Sequence, residues 1–319
     1  MSSKTRAYVA LVCGVIIVAW AAILIRWAGV EEPPVPVREA GRALLGWLEG
    51  MGVLGPEKAP PLGIAAGRLV LASAILTPVA LARGAPRELR ALGRRDLLFA
   101  LLAGVALAVH FATWISSLSL TTVASSVVLV ETNPLFVALA SHFLLRERVS
   151  RLTAVGIVVA VVGGALVSLG DFTLSGWALL GDLLALVGGL MAAAYFLFGR
   201  RLRQRLSIVA YIWPVYAAAA VVLLAICWLS GQRLSGYTPA TYLMILLLAV
   251  GPQLLGHSSL NYALGQLPAT LVTVAALGEP VGSAVLALLL LGEVPGWPVL
   301  AGGVLILVGI ALAGRGERE

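Results

Sequence analysis

Residues 131–151 read ETNPLFVALASHFLLRERVSR, and residues 277–297 read LGEPVGSAVLALLLLGEVPGW. Each carries a carboxylate beside a proline at the head of an apolar run, and a second glutamate after it. Pro134 and Pro280 stand 146 positions apart, as do Glu147 and Glu293, and His110 and His257 stand 147 apart. Downstream, GIVVAVVGGALVSLG at 156–170 is answered by GGVLILVGIALAG at 302–314. The common order and near-constant offset mark an internal duplication.

The surroundings decide what is duplicated. The 319 residues are 60% hydrophobic and 12% charged, with a mean hydropathy of +1.01. Soluble domains are about 45–50% apolar and about 25% charged, so this composition belongs to a membrane. A spanning helix needs roughly 17–25 apolar residues. Such stretches occur at 8–28, 61–82, 97–118, 122–145, 152–170, 177–199, 208–229, 241–262, 267–290 and 296–313. Porin strands would be shorter and strictly alternating. The expected fold is an all-α integral membrane protein of ten transmembrane helices.

Charge sets the orientation. With the N-terminus in the cytoplasm, 16 of the 22 Lys and Arg fall on the cytoplasmic side. Arg38, Arg42, Lys58 and Arg233 fall outside, and Arg26 and Arg68 lie within spans. This is a positive-inside pattern with both termini cytoplasmic. The net charge of +7 then anchors topology and touches anionic lipid, with no nucleic acid implied. The first span follows Lys4 and Arg6 without a cleavage pattern and reads as retained. Cys13 and Cys227 lie in apolar runs and suggest neither a disulfide nor a metal site.

Five spans per half is an odd number, so the second half enters the membrane in the opposite sense. The halves are 1–170, with an extracytoplasmic insertion at 29–60, and 171–319. The insertion contains REAGRALLGWLEGMGVLG, whose Ala40, Leu44, Trp47 and Leu48 have the spacing of a short amphipathic helix. Inverted repeats are a recurrent transporter plan, because paired halves offer two related conformations.

The polar residues inside the spans are the candidates for function. Glu131 lies roughly 14 Å deep at 1.5 Å per residue, where a lipid-facing carboxylate is expensive. It orients a substrate amine, carries a proton, or bonds neighbouring helices. Pro134 cannot donate its helical hydrogen bond, which frees the Val130 carbonyl beside Asn133. Pro280 does the same to Ala276, with Glu279 adjacent. His110 and Trp114 share a helix face, as do His257 and Asn261. Trp20 and Tyr195 are further candidates for the lining, and His142 is a weaker one. Arg68 and Asp182 form a candidate ion pair or outer gate. Pro134 and Pro280 are candidate hinges, and Glu147 and Glu293 are helix-end residues suited to conformational coupling. No Walker loop, dinucleotide fingerprint, metal-ligand spacing or nucleophile elbow appears, so neither cofactor nor enzyme activity is implied.

The ordered set AAILIRWAG (21–29), PPLGIAAGRLVLAS (60–73), HFATWISSLSLTTVASSVVLVETNPLFVALASHFLLRERVS (110–150) and LGEPVGSAVLALLLLGE (277–293) resembles the EamA-type carriers of the drug/metabolite transporter superfamily. The resemblance covers nearly all ten spans. It implies a central cavity lined by the first, third, fourth, sixth, eighth and ninth. Family members export amino acids and other small metabolites, some with aromatic selectivity. Other branches move nucleotide sugars, organic phosphates, choline or cationic drugs. The long 29–60 segment departs from the usual plan.

The expected function is a secondary carrier in a bacterial or archaeal plasma membrane, exporting amino acids or related small metabolites by alternating access. Uniport and proton antiport both fit. A lipophilic-cation or drug exporter is the alternative within the class, and a channel or non-transporting membrane protein the alternative outside it. Ten spans can enclose a cavity as a monomer, and the small-residue segments are compatible with a homodimer.

Overall fold

The computed structural model describes residues 2–28, 59–117, 120, 126, 129–141, 149–168, 176–291, 294 and 296–316. Among these the chain is helical, without strands. Eight helices are long and apolar enough to cross a membrane: Ser3–Ile25, Pro61–Ala82, Arg94–Ser117, Trp177–Arg203, Ile208–Leu229, Pro239–Leu264, Ala269–Leu290 and Trp297–Gly316. A shorter apolar helix, Arg151–Leu166, stands at the fifth expected span. The fourth is described over 129–141. Glu147, Glu293, His142 and residues 29–58 lie outside the described residues.

Local chemistry sets several boundaries. Ser207 opens the seventh span by accepting from the Ala210 amide, and Thr238 opens the eighth by accepting from Thr241, with Pro239 in the first turn. These side chains satisfy amides that a helix start leaves orphaned. Glu88, in the short helix Ala85–Arg90 that packs on the seventh span, holds the Ser207 cap, accepting from its amide at 2.9 Å and its hydroxyl at 2.7 Å.

The packing has the form of a two-fold repeat. The second span packs on the seventh, the fourth on the ninth and the fifth on the tenth, each with its own counterpart. The third packs on the sixth and the first on the eighth, pairs that exchange when each segment is mapped five places along. Five is odd, so related segments run in opposite senses and the halves are inverted.

The fifth and tenth spans meet backbone to backbone. A Cβ on Gly309 would lie 2.5 Å from the Gly156 carbonyl oxygen, and one on Gly163 would lie 2.7 Å from that of Gly302. Lipid tails give helices no hydrophobic reason to associate, so close approach at small residues supplies the contact.

The outside of the bundle is apolar. Val9, Val12 and Ile16 form one exposed stripe, and Leu183, Leu186 and Leu190 lie exposed along another span. Such surfaces would be a liability in water and are ordinary against lipid. Trp177, Trp228 and Trp297 are all strongly exposed. They sit at span ends on one side of the bundle, opposite the arginine-rich end, as interfacial tryptophans do.

Regularity is distributed unevenly. The first span is interrupted at Ala19, and the eighth widens into a π-helical stretch, Ala249–His257, around Pro252. The third and sixth, their counterparts as a pair, are continuous. The fourth and ninth both break at the turn before their prolines, at Glu131–Thr132 and at Leu277.

Candidate functional site

The fourth-span break is local in origin. Pro134 has no N–H for the Val130 carbonyl, and the Asn133 amide donates to that oxygen at 3.2 Å. The Asn133 nitrogen must face this carbonyl, so its Oδ1 is the free atom, and it is buried without a partner. Oε2 of Glu131, at the break itself, is likewise buried and unpartnered.

Around this point the structure assembles rings from both halves. The His110 ring stacks on Trp114 at 5.8 Å and 13° and lies 4.8 Å from Phe111. His110 Nδ1 is 2.9 Å from the Gly188 carbonyl of the sixth span. Phe111 meets His257 edge-on at 5.6 Å, and His257 lies 6.4 Å from Tyr195. The Asn261 amide donates to the Tyr195 hydroxyl and to the His257 carbonyl, the latter at 2.7 Å. Its Oδ1 is then the free atom, again buried and unpartnered. A continuous file of side chains, Trp114–His110–Phe111–His257–Tyr195–Asn261, thus links the third, eighth and sixth spans.

Arg68 is 1% exposed and lies at the middle of this file. Its guanidinium sits 4.3 Å above the Phe111 ring, and its Nε donates to Gln253 Oε1 at 2.8 Å. The pairing with Asp182 expected from sequence is not formed. Asp182 lies half-buried in the second turn of the sixth span. A central arginine costs about 2.5–3.5 kcal/mol on insertion scales. A charge-assisted hydrogen bond returns about 1.5–3 and a desolvated cation–π contact about 2, so Arg68 is tolerated without an ion pair. Gln253 is fully buried; its carbonyl accepts from Tyr216 at 3.3 Å, and Tyr216 also meets Ser258 at 3.2 Å.

The structure therefore brings together His110, Trp114, His257, Asn261 and Tyr195 in one polar core. Glu131 and Asn133 follow Val130, whose carbonyl packs against Gly189, next to the Gly188 carbonyl that His110 meets. Glu279 lies within electrostatic reach of Arg68 and of Glu131. Trp20 is 37% exposed and follows the exposed Val9, Val12 and Ile16 along the first span. Pro134 is buried and Pro280 half-buried, each just past its break. Phe111, Gln253 and Tyr216 have no place among the residues expected from sequence. For Gln253 the visible signal was GPQ at 251–253, a proline and an amide in mid-span. Arg68 and Tyr216 come from the second and seventh spans, outside the lining that the resemblance implies.

At the arginine-rich end, Arg200 donates to the Leu264 carbonyl at 2.9 Å and Arg203 to that of Asn261 at 3.1 Å. These are last-turn carbonyls of the eighth span, which lack helical partners and draw cations. The Ser3 hydroxyl ties the start of the first span to Gln266 at 2.7 Å.

Comparison with known proteins gives the class. The model of the EamA-like transporter family matches twice, over residues 51–169 and 179–315. The chain belongs to that family, within the drug/metabolite transporter superfamily. A solved crystal structure is similar over 98% of this chain and 98% of its own, with a TM-score of 0.74 at 18% identity; that likeness is one of fold. No curated protein matches the chain.

Proposed function

We propose that the protein is a secondary carrier that exports amino acids or related small zwitterionic metabolites from the cytoplasm by alternating access. One observation carries the reading. Among the described residues, ten buried side-chain atoms lack a hydrogen-bond partner: seven belong to Arg68, Trp114, Glu131, Asn133, Gln253, His257 and Asn261, and three to Trp27, Ser141 and Tyr211. Native proteins leave few such atoms, and each calls for an explanation. The seven gather in and around the polar core of a membrane bundle, with both donors and acceptors represented. A polar solute handled there would complete their bonding.

The inverted halves, divided as 1–170 and 171–319, supply two related conformations. The breaks before Pro134 and Pro280 are the hinges in this reading. The arginine-rich end is cytoplasmic, in the plasma membrane of a bacterium or archaeon. A lipophilic-cation exporter is the second reading, favoured by Glu131, Glu279 and the stacked His110–Trp114 pair, which suit a flat cation.

The test is radiolabelled flux in proteoliposomes with aromatic and aliphatic amino acids, choline, a lipophilic cation and a sugar phosphate, with and without a pH gradient. Saturable amino-acid flux with trans-acceleration is the expected result. Robust flux of the lipophilic cation with none of the amino acids would replace the first reading by the second.

A further inference from the structure

We infer that Arg68 and Gln253 together form the subsite that holds the carboxylate of the substrate; this rests on the transport reading above. The two side chains act as one unit, joined at 2.8 Å through Arg68 Nε and Gln253 Oε1. Arginine can only donate, so the amide atom facing it is oxygen and the outer amide atom is NH2. What the pair leaves unused is Arg68 Nη2 and Gln253 Nε2, both buried without partners. Both are donors only. Their complement is an acceptor group that bridges two nearby N–H sources, which is the shape of a carboxylate.

Charge narrows the class. Among the described residues, Arg68 is the one guanidinium of this core; Glu279 lies close enough to act electrostatically on it, and Glu131 lies within reach of Glu279. Among the same residues, neither carboxylate forms an ion pair with Arg68. A dianion such as a phosphate monoester would meet one guanidinium with a carboxyl group beside it. A monoanion that carries its own cation meets both signs. Its carboxylate takes Arg68 and Gln253, while Glu279, the carboxyl group within reach of Arg68, offers acceptors to its ammonium group. The eighth-span π stretch at Ala249–His257 sets Gln253 in this position, and Phe111 fixes the guanidinium plane from beneath.

The chemistry is read with three solutes that differ at one group: phenylalanine, its amide, and phenethylamine, with leucine, leucinamide and isoamylamine as the aliphatic series. Inhibition and flux are measured in proteoliposomes. Wild type is expected to prefer the acid over the amide and amine by roughly 100-fold, because a buried site built for one group rejects the analogue lacking it. Gln253→Glu keeps the bond to Arg68 and places a carboxylate where the substrate's would sit. It is expected to bring that ratio to about one, or to invert it towards the amine. Arg68→Lys is expected to retain part of the preference and Arg68→Gln to lose it. Each variant is checked for a monodisperse elution profile. A merely structural Arg68 would lower all three solutes equally and leave the ratio unchanged, which would overturn the inference. Equal handling of acid and amine by wild type would overturn it while leaving the carrier reading intact. Absence of saturable flux for every solute would overturn the carrier reading itself, and the subsite with it.

Discussion

Replacing Asn133 by leucine removes the side-chain donor that reaches the Val130 carbonyl, at 3.2 Å. The site is buried, so water does not replace the bond. An unsatisfied buried acceptor costs about 1–3 kcal/mol, whereas hydrogen bonds measured inside membranes average about 0.6 and reach about 1.7 kcal/mol. The two scales overlap near 1 kcal/mol, which is the expected loss for Asn133→Leu. The cause is Pro134, which lacks the N–H that would otherwise serve the same oxygen. In a Pro134→Ala background that N–H is present, and Asn133→Leu is expected to cost less than about 0.3 kcal/mol. The coupling between the two substitutions should therefore be about 0.7 kcal/mol or more, above the scatter of independent sites. Equilibrium unfolding of the four proteins in mixed detergent with increasing SDS measures it. Additive effects within error would show that Asn133 does not serve the bond Pro134 withholds, and would refute a local origin for the fourth-span break.

Further outcomes follow from the same structure. Gly309→Val sets its Cβ 2.5 Å from the Gly156 carbonyl and 2.7 Å from the Ala160 amide; backbone on both sides leaves nothing flexible to yield, and a loss of about 1–3 kcal/mol is expected in the same unfolding assay. Trp20→Ala, on the exposed stripe of the first span, should change transport less than about twofold, against tenfold or more for Trp114→Ala in the polar core; comparable losses would give Trp20 an equal part in transport. Asp96→Asn breaks the 2.8 Å pair with Arg205, whose side chain is 66% exposed, and should cost under about 1 kcal/mol. Glu131→Gln tests proton carriage: flux that retains the wild-type pH profile removes Glu131 as the proton carrier.

The sequence made some features legible and hid others, for physical reasons. Span positions were open to reading because bilayer thickness imposes length. The second and seventh, expected at 61–82 and 208–229, run Pro61–Ala82 and Ile208–Leu229. The fourth-span break was equally legible, since Pro134, Asn133 and Val130 are neighbours in the chain. Helix rotation was not. Lipid and core are both apolar, so nothing in the first span distinguishes the face carrying Trp20 from the face that packs inward. Long-range partners were hidden for a related reason. Arg68 and Asp182 matched in depth and charge, but Gln253, 185 positions away, is the side chain that the packing of the second on the eighth span presents. Gln253 and Tyr216 carried no periodic signal, because single polar residues in near-uniform apolar helices define no stripe.

The central claim is a carrier whose polar core opens to one side at a time. Thr113 and Ser258 lie towards opposite ends of that core, and among the described residues the Thr113 hydroxyl bonds only its own helix backbone. In a background with Cys13 and Cys227 replaced by serine, Thr113→Cys and Ser258→Cys are labelled separately with a membrane-impermeant maleimide applied from each side, under conditions that drive substrate in either direction. Alternating access predicts reciprocal reactivity: conditions that raise outer labelling at position 113 lower inner labelling at position 258, and the reverse. Simultaneous, substrate-independent reactivity of both positions would mean a continuous pore and would contradict the carrier mechanism.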